Sequence, residues 1–94
     1  MNYIVEKGDN AFRRLVGLSP ILLSQIEKAL QQLAEDPLRL GRKAVFPFPP
    51  RGNLYSFQCV FEGVRYDFRA FYYFKDDERT LLIHDVTVTA SDRL

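Results

Sequence analysis

Hydrophobic and polar residues alternate along the second half of the chain, most clearly between Val64 and Lys75. Positions of one parity there are apolar or aromatic, whereas positions of the other parity begin with Arg65, Asp67 and Arg69. Because successive side chains of a strand point to opposite faces of a sheet, this pattern predicts a strand with an apolar inner face and a more polar outer face. We expect this strand to be the centre of the sheet.

A two-residue turn, Glu62-Gly63, joins this strand to the apolar segment before it, and glycine supplies the positive φ that such turns require. The turn fixes a hairpin register in which inner-face residues pair with one another and outer-face residues do the same. The predicted inner pairs are Phe61–Val64, Cys59–Tyr66, Phe57–Phe68 and Tyr55–Ala70. The predicted outer pairs are Val60–Arg65, Gln58–Asp67 and Ser56–Arg69.

A third antiparallel strand, Thr80–Thr89, is predicted after the loop Asp76–Arg79. A loop of this length places His84 across from Phe71, on the outer face that also carries Arg69. The residues that it places on the inner face are Leu81 and Ile83, beside Phe74 and Tyr72.

The first half of the chain predicts one strand and two helices. Tyr3–Lys7 alternates and contains β-formers, so it predicts a short strand, and Ala11–Val16 predicts a short helix ended by Gly17. Ser19 suits the N-cap of a second helix, and Pro20 suits its first position. That helix carries an apolar stripe and ends at Asp36-Pro37. The stripe consists of Leu22, Ile26, Ala29, Leu30 and Leu33.

A proline- and glycine-rich stretch, Leu38–Gly52, predicts a loop before the three antiparallel strands. Its Phe46–Pro50 segment is read as a connector pinned by phenylalanines rather than as a polyproline-type ligand. The element order is therefore β-α-α-β-β-β over a single domain, residues 1–94. The fold class is predicted to be α+β, a small antiparallel sheet with two N-terminal helices packed on one face.

Composition narrows the function classes only modestly. The net charge of the 94 residues is +1, so any nucleic-acid binding has to rest on a local basic patch. No apolar run approaches the roughly 20 residues of a membrane-spanning helix, and no export signal is visible. The lone Cys59 cannot form an internal disulfide, and no residue spacing suggests a metal or cofactor site. We therefore expect a reduced, cytoplasmic protein that needs no cofactor.

Three segments carry a resemblance to a known family. They are Leu54-Tyr55-Ser56-Phe57, then Tyr66-Asp67-Phe68-Arg69-Ala70-Phe71-Tyr72-Tyr73-Phe74, and finally Leu81-Leu82-Ile83-His84. With the element order, they resemble the RelE/ParE toxin superfamily, nearest to its HigB-like branch, which includes phage-derived proteins. The resemblance implies a toxin of a type II toxin–antitoxin system, with a cognate antitoxin as partner. The expected assembly is a homodimer or a hetero-oligomer with the antitoxin. Many members of that family cleave messenger RNA on the ribosome without a metal.

The resemblance places the sheet arginine of the family on Arg69, and its basic residues before the second strand on Lys43 and Arg51. Arg69 suits charge stabilisation at a phosphate, and His84 suits proton transfer near neutral pH. The catalytic candidates are Arg69, His84 and Lys43. The RNA-binding candidates are Arg42, Arg51, Arg65, Phe71, Tyr73 and Arg93, with the two aromatic residues as stacking platforms.

Two readings stay open for these residues. The first is a ribosome-dependent messenger RNA endoribonuclease that inhibits translation. The alternative is a protein-binding relative without nuclease activity, such as a ParE-like gyrase inhibitor or a degenerate antitoxin-binding module. The C-terminal segment favours this alternative because it carries only Arg93, whereas the HigB-like branch has two lysines there. In the same way, Arg69 could pair with Asp67 or Glu62 on a solvated face.

Overall fold

The computed structural model of the protein describes residues 3–43, without the side chain of Lys43, and residues 52–91. The predicted connector Phe46–Pro50 and the candidates Arg51 and Arg93 lie outside the described residues. The helical elements are a 3-10 helix Arg13–Leu15, α1 Pro20–Glu35 and α2 Pro37–Leu40. The strands are β1 Ile4–Lys7, β2 Arg42–Lys43, β3 Asn53–Phe61, β4 Val64–Phe74 and β5 Thr80–Ser91.

One sheet of five strands, in the order β1-β5-β4-β3-β2, forms the framework of the α+β fold, and this class is as predicted. The β3–β4 register agrees with the prediction at every pair, because the turn at Glu62-Gly63 has positive φ at both residues and fixes it locally. Leu81 and Ile83 lie on the inner face, opposite Phe74 and Tyr72, also as predicted.

The sheet is mixed rather than purely antiparallel, because β1 pairs with β5 in parallel. Two further backbone bonds hold this edge, from Ile4 N to Arg79 O at 2.8 Å and from Gly8 N to Ile83 O at 2.9 Å. The prediction erred here because β1 and β5 stand at opposite ends of the sequence. No local turn signals the relative direction of two strands joined by so long a connection.

The predicted helix over residues 11–16 is only the 3-10 helix Arg13–Leu15, so one of the two predicted N-terminal helices is reduced to three residues. Its segment instead follows the edge of β5, where Val86 N donates to Ala11 O at 3.0 Å. Leu15 reaches the core from this position. The Ala11 carbonyl thus accepts from the strand edge, and the helix that follows it has only three residues.

Helix α1 supplies most of the cover for the inner face. It begins at the predicted N-cap, where Ser19 Oγ accepts a hydrogen bond from Leu22 N at 3.2 Å, and Pro20 occupies its first position. Its predicted apolar stripe is buried against the sheet. The sheet residues fully buried with it are Phe68, Ala70, Tyr72, Leu81, Ile83 and Val86. None of the described helices is long and apolar enough to cross a bilayer.

The short helix α2 closes the core over Tyr72. The Tyr72 hydroxyl donates to Pro37 O at 3.4 Å, and burial raises the pKa of this phenol to about 12. A Cβ on Gly41, which follows α2, would overlap the same hydroxyl group. Glycine is therefore required at this position by close approach, not by its backbone conformation, since φ at Gly41 is −89°.

Candidate functional site

The outer face of β3, β4 and β5 is the side of the sheet away from α1, and most of its side chains are solvent-accessible. Directly paired residues place its side chains in rows that run across the three strands. The polar rows are Ser56–Arg69–Thr87, Gln58–Asp67–Thr89 and Val60–Arg65–Ser91. An open groove of about 690 Å³ runs over them, and its lining includes Ser56, Gln58, Arg65, Asp67, Arg69, Thr87 and Thr89.

Arg65 and Asp67 form an ion pair within this groove. Oδ1 of Asp67 accepts from Nε of Arg65 at 3.3 Å and from Nη2 at 3.2 Å. Arg69 is exposed and takes part in no ion pair within residues 3–43 and 52–91. Of the two carboxylates considered as partners of Arg69, Asp67 is bonded to Arg65 instead, and Glu62, which the structure also describes, forms no ion pair with Arg69. The groove thus presents one guanidinium group with its hydrogen-bond donors available.

Beyond Arg69, toward the C-terminal end of β4, the outer face carries aromatic side chains. Phe71 lies between Leu54 and Asp85 in the next row, and Tyr73 follows it on β4. The ring of Tyr73 meets the ring of His84 edge-on, with centroids 5.8 Å apart and an interplanar angle of 76°. His84 is exposed. A tyrosine and a histidine at the surface can stack on a flat ring of a ligand.

The prediction that His84 lies across from Phe71 is wrong, because the β4–β5 ladder shifts register between Phe71 and Tyr72. Phe71 therefore pairs with Asp85, and His84 is the extra residue of a β-bulge. The sequence does contain a signal for this bulge. Its apolar residues change parity, from Leu81 and Ile83 to Val86 and Val88, and a regular strand cannot place all four on one face.

Asp85 and Arg14 belong to this region as well, and sequence reasoning missed both. Nε of Arg14 donates to Oδ2 of Asp85 at 3.0 Å, which connects the 3-10 helix to the bulge. The other carboxylate oxygen is buried and accepts no hydrogen bond from the described part of the chain. The pair joins residues 71 positions apart, and no local pattern indicates such a contact.

The remaining candidates divide into two groups. Arg42 is exposed in β2, and its pairing with Leu54 places it in the row of Phe71 on the outer face. The backbone of Lys43 pairs with that of Asn53, and the side chain of Lys43 lies outside the described part of the structure. The candidates that the described structure brings to the outer face are thus Arg42, Arg65, Arg69, Phe71, Tyr73 and His84.

Cys59 lies on the inner face and is half-buried, and burial raises the pKa of its thiol. A thiol with a raised pKa is a weak nucleophile. Within the described ranges, no group of three or more His, Cys, Asp or Glu side chains could hold a metal ion.

The fold is shared with solved toxin structures. A chain of the RelBE2 toxin–antitoxin complex from Mycobacterium tuberculosis superposes with a TM-score of 0.65 at 24% identity, covering 95% of this chain and 100% of that chain. The free Escherichia coli toxin RelE, in a variant with two arginines replaced by alanine, gives 0.58 at 18% identity, covering 92% and 82%. The intact Escherichia coli RelBE complex gives 0.56 at 18% identity, covering 89% and 93%.

At these identities the likeness is one of fold, and the chain resembles the RelE-like toxin superfamily in that sense. No protein-family model and no curated protein sequence matches the chain. The roles of the individual side chains on the outer face therefore rest on the geometry of this structure.

Proposed function

We propose that this protein is the toxin of a type II toxin–antitoxin pair and acts as a metal-free endoribonuclease on messenger RNA held in the ribosome. The observation that carries the proposal is the outer face. It combines the available guanidinium of Arg69 with an adjacent aromatic surface, on a fold whose solved relatives include RelE toxins. A nearly neutral protein can bind RNA in this way if its positive charge is concentrated where phosphates lie.

Arg69 is assigned to the scissile phosphate. A guanidinium group can donate two parallel hydrogen bonds to phosphate oxygens and can stabilise the charge that develops on them. Ser56 and Thr87 flank it in the same row and add hydroxyl groups that can donate or accept hydrogen bonds. The ribose 2′-hydroxyl and the phosphate oxygens are the RNA groups that such a row can engage.

Tyr73, Phe71 and His84 are assigned to the neighbouring nucleotide. Aromatic rings that are partly accessible beside a groove with an available cation are a general means of holding unpaired bases. His84 is the candidate for proton transfer to or from the reacting oxygens, because an imidazole ring can act as a general acid or a general base. Arg42 lies at the end of the row that contains Leu54 and Phe71, and it can add a phosphate contact. An antitoxin that covers the outer face would silence all of these groups together.

RNA mapping in expressing cells tests the proposal. The full-length protein is induced, and the 5′ ends of cellular messenger RNAs are compared before and after induction, with and without an inhibitor that clears ribosomes from messages. New ends within translated regions that disappear when ribosomes are cleared are the expected result. Growth arrest with DNA damage and no new RNA ends would contradict the nuclease proposal and would identify a gyrase poison instead.

A further inference from the structure

Three charged side chains follow one another on the outer face of β4, at Arg65, Asp67 and Arg69. Alternate residues of a strand share a face and lie about 7 Å apart, so the carboxylate stands between the two arginines at equal sequence separation. All three line the same groove. The Asp67 carboxylate could therefore pair with either arginine, and its choice decides which guanidinium remains available.

In the structure Asp67 pairs with Arg65. Both hydrogen bonds reach the same carboxylate oxygen, at 3.2 and 3.3 Å, and the two side chains are 43% and 38% exposed. An ion pair so accessible to solvent is weak in stability, commonly below about 1 kcal/mol. Its consequence is geometric, because the carboxylate is hydrogen-bonded to Arg65 and not to Arg69.

We propose that Arg65 is a positioning residue, which holds Asp67 in this ion pair and so keeps Arg69 available for an RNA phosphate. The inference rests on the proposed function and replaces the expectation that Arg65 contacts RNA directly. Without Arg65, Asp67 would turn to Arg69, satisfy its guanidinium group and place a negative charge where the phosphate binds.

Removal of Asp67 separates this role from direct binding. Arg65→Ala changes the net charge of the groove by one unit whether or not Asp67 is present, so the long-range loss of RNA affinity is the same in both backgrounds. Only in the native background does the substitution also release a competing carboxylate. A direct phosphate contact by Arg65 would cost the same affinity in either background, whereas a positioning role predicts coupling between the two substitutions.

The first measurement needs no RNA. The Nε–Hε resonance of Arg69 is recorded by NMR in the native protein, in Arg65→Ala and in Arg65→Ala/Asp67→Ala. The resonance should shift and exchange more slowly with water in Arg65→Ala, because it gains a carboxylate acceptor, and it should return in the double variant. An Arg69 resonance that is unchanged in Arg65→Ala would overturn the inference.

The second measurement titrates the same folded variants, and Arg65→Lys, with a fluorescein-labelled single-stranded RNA oligonucleotide. Arg65→Ala should weaken binding about tenfold in the native background and about twofold with Asp67→Ala present, since the competing ion pair accounts for the difference. Arg65→Lys should retain affinity within about twofold because it keeps a cation beside Asp67. Equal losses in both backgrounds would overturn the positioning role and identify Arg65 as a direct contact.

The NMR measurement and the RNA mapping in expressing cells separate the inference from the proposed function. If the Arg69 resonance responds as expected but induction gives no ribosome-dependent RNA ends, control of Arg69 by Arg65 and Asp67 is supported and the nuclease proposal is contradicted. If those RNA ends are found but the Arg69 resonance does not respond, the nuclease proposal is supported and the inference fails.

Discussion

The two faces of the central sheet are built from the same strands, yet they serve different purposes. On the inner face, Phe68 and Tyr72 are almost completely buried beneath the helices. On the outer face, their neighbour Arg69 is exposed at the edge of an open groove. Alternation along a strand thus lets adjacent residues belong to the core and to the proposed binding surface. Stability should depend on one face and activity on the other.

The largest expected difference in stability between the two faces comes from substitutions of two adjacent residues, Phe68 and Arg69. Phe68→Ala should lower the free energy of unfolding by about 3–5 kcal/mol, because it removes a buried ring and leaves a cavity. Arg69→Ala should lower it by less than about 1 kcal/mol, as expected for an exposed strand position. Urea denaturation of both variants measures the difference. Similar losses of unfolding free energy in the two variants would contradict the assignment of stability to the inner face alone.

Gly41 offers a second test of the inner face. Gly41→Ala should destabilise the protein by about 1–3 kcal/mol, because its Cβ would overlap the Tyr72 hydroxyl and also approach Pro37 O at 3.0 Å. Tyr72→Phe should recover part of this loss when the two changes are combined, since the overlapping oxygen is then absent. Thermal denaturation of the single and double variants tests the contact. A fully additive cost would show that the overlap is not its cause.

The N-cap of α1 should make a smaller contribution. Ser19→Ala should cost about 1 kcal/mol, because the amide of Leu22 loses its acceptor. Ser24→Ala provides a matched control, since Ser24 is exposed in the middle of the same helix and alanine is a better helix former there. Chemical denaturation should therefore find opposite signs for the two serine substitutions. A loss at Ser24 as large as that at Ser19 would contradict the assigned cap.

The smallest effect concerns Asp77 in the β4–β5 loop, which belongs to neither face. The amide of Arg79 and the amide and hydroxyl of Thr80 donate to its carboxylate, and these bonds lower the pKa of Asp77 below its usual value. A group whose pKa is lower in the folded state stabilises the protein above the unfolded pKa of about 3.9. That stabilisation disappears as the pH falls through the folded pKa.

The destabilisation caused by Asp77→Ala should therefore be constant from about pH 7 to pH 5 and should shrink at lower pH. Unfolding curves of the native protein and the variant across this range measure it. A difference that stays the same down to pH 2 would mean that the hydrogen bonds do not depend on the charged carboxylate.

Local rules were sufficient for much of this fold. The turn at Glu62-Gly63 determined the β3–β4 register, and the stripe of α1 with its Ser19 cap determined the main helix and its buried face. Features that depend on distant residues were not accessible in the same way. The parallel pairing of β1 with β5 and the Arg14–Asp85 ion pair join opposite ends of the chain, and neither leaves a periodic signal.

The site was predicted in the same uneven manner. Alternation placed Arg65, Arg69 and Tyr73 on one face, and the structure has them there. His84 reached the same face by a different path, because the bulge adds a residue that the assumed regular strand did not contain. The partner of Asp67 could not be read from the sequence, since an arginine lies two residues away on either side. Only side-chain geometry distinguishes Arg65 from Arg69.

The central claim is that the outer face is the functional surface of the protein. Growth of cells that express matched arginine variants tests this claim most directly. Arg69→Ala is compared with Arg39→Ala, which removes an exposed arginine of α2 that pairs with Asp36 and lies away from that face. Both proteins must be folded and present at equal amounts. The account predicts that Arg69→Ala abolishes growth arrest while Arg39→Ala arrests growth like the native protein. Unchanged arrest by folded Arg69→Ala would contradict it.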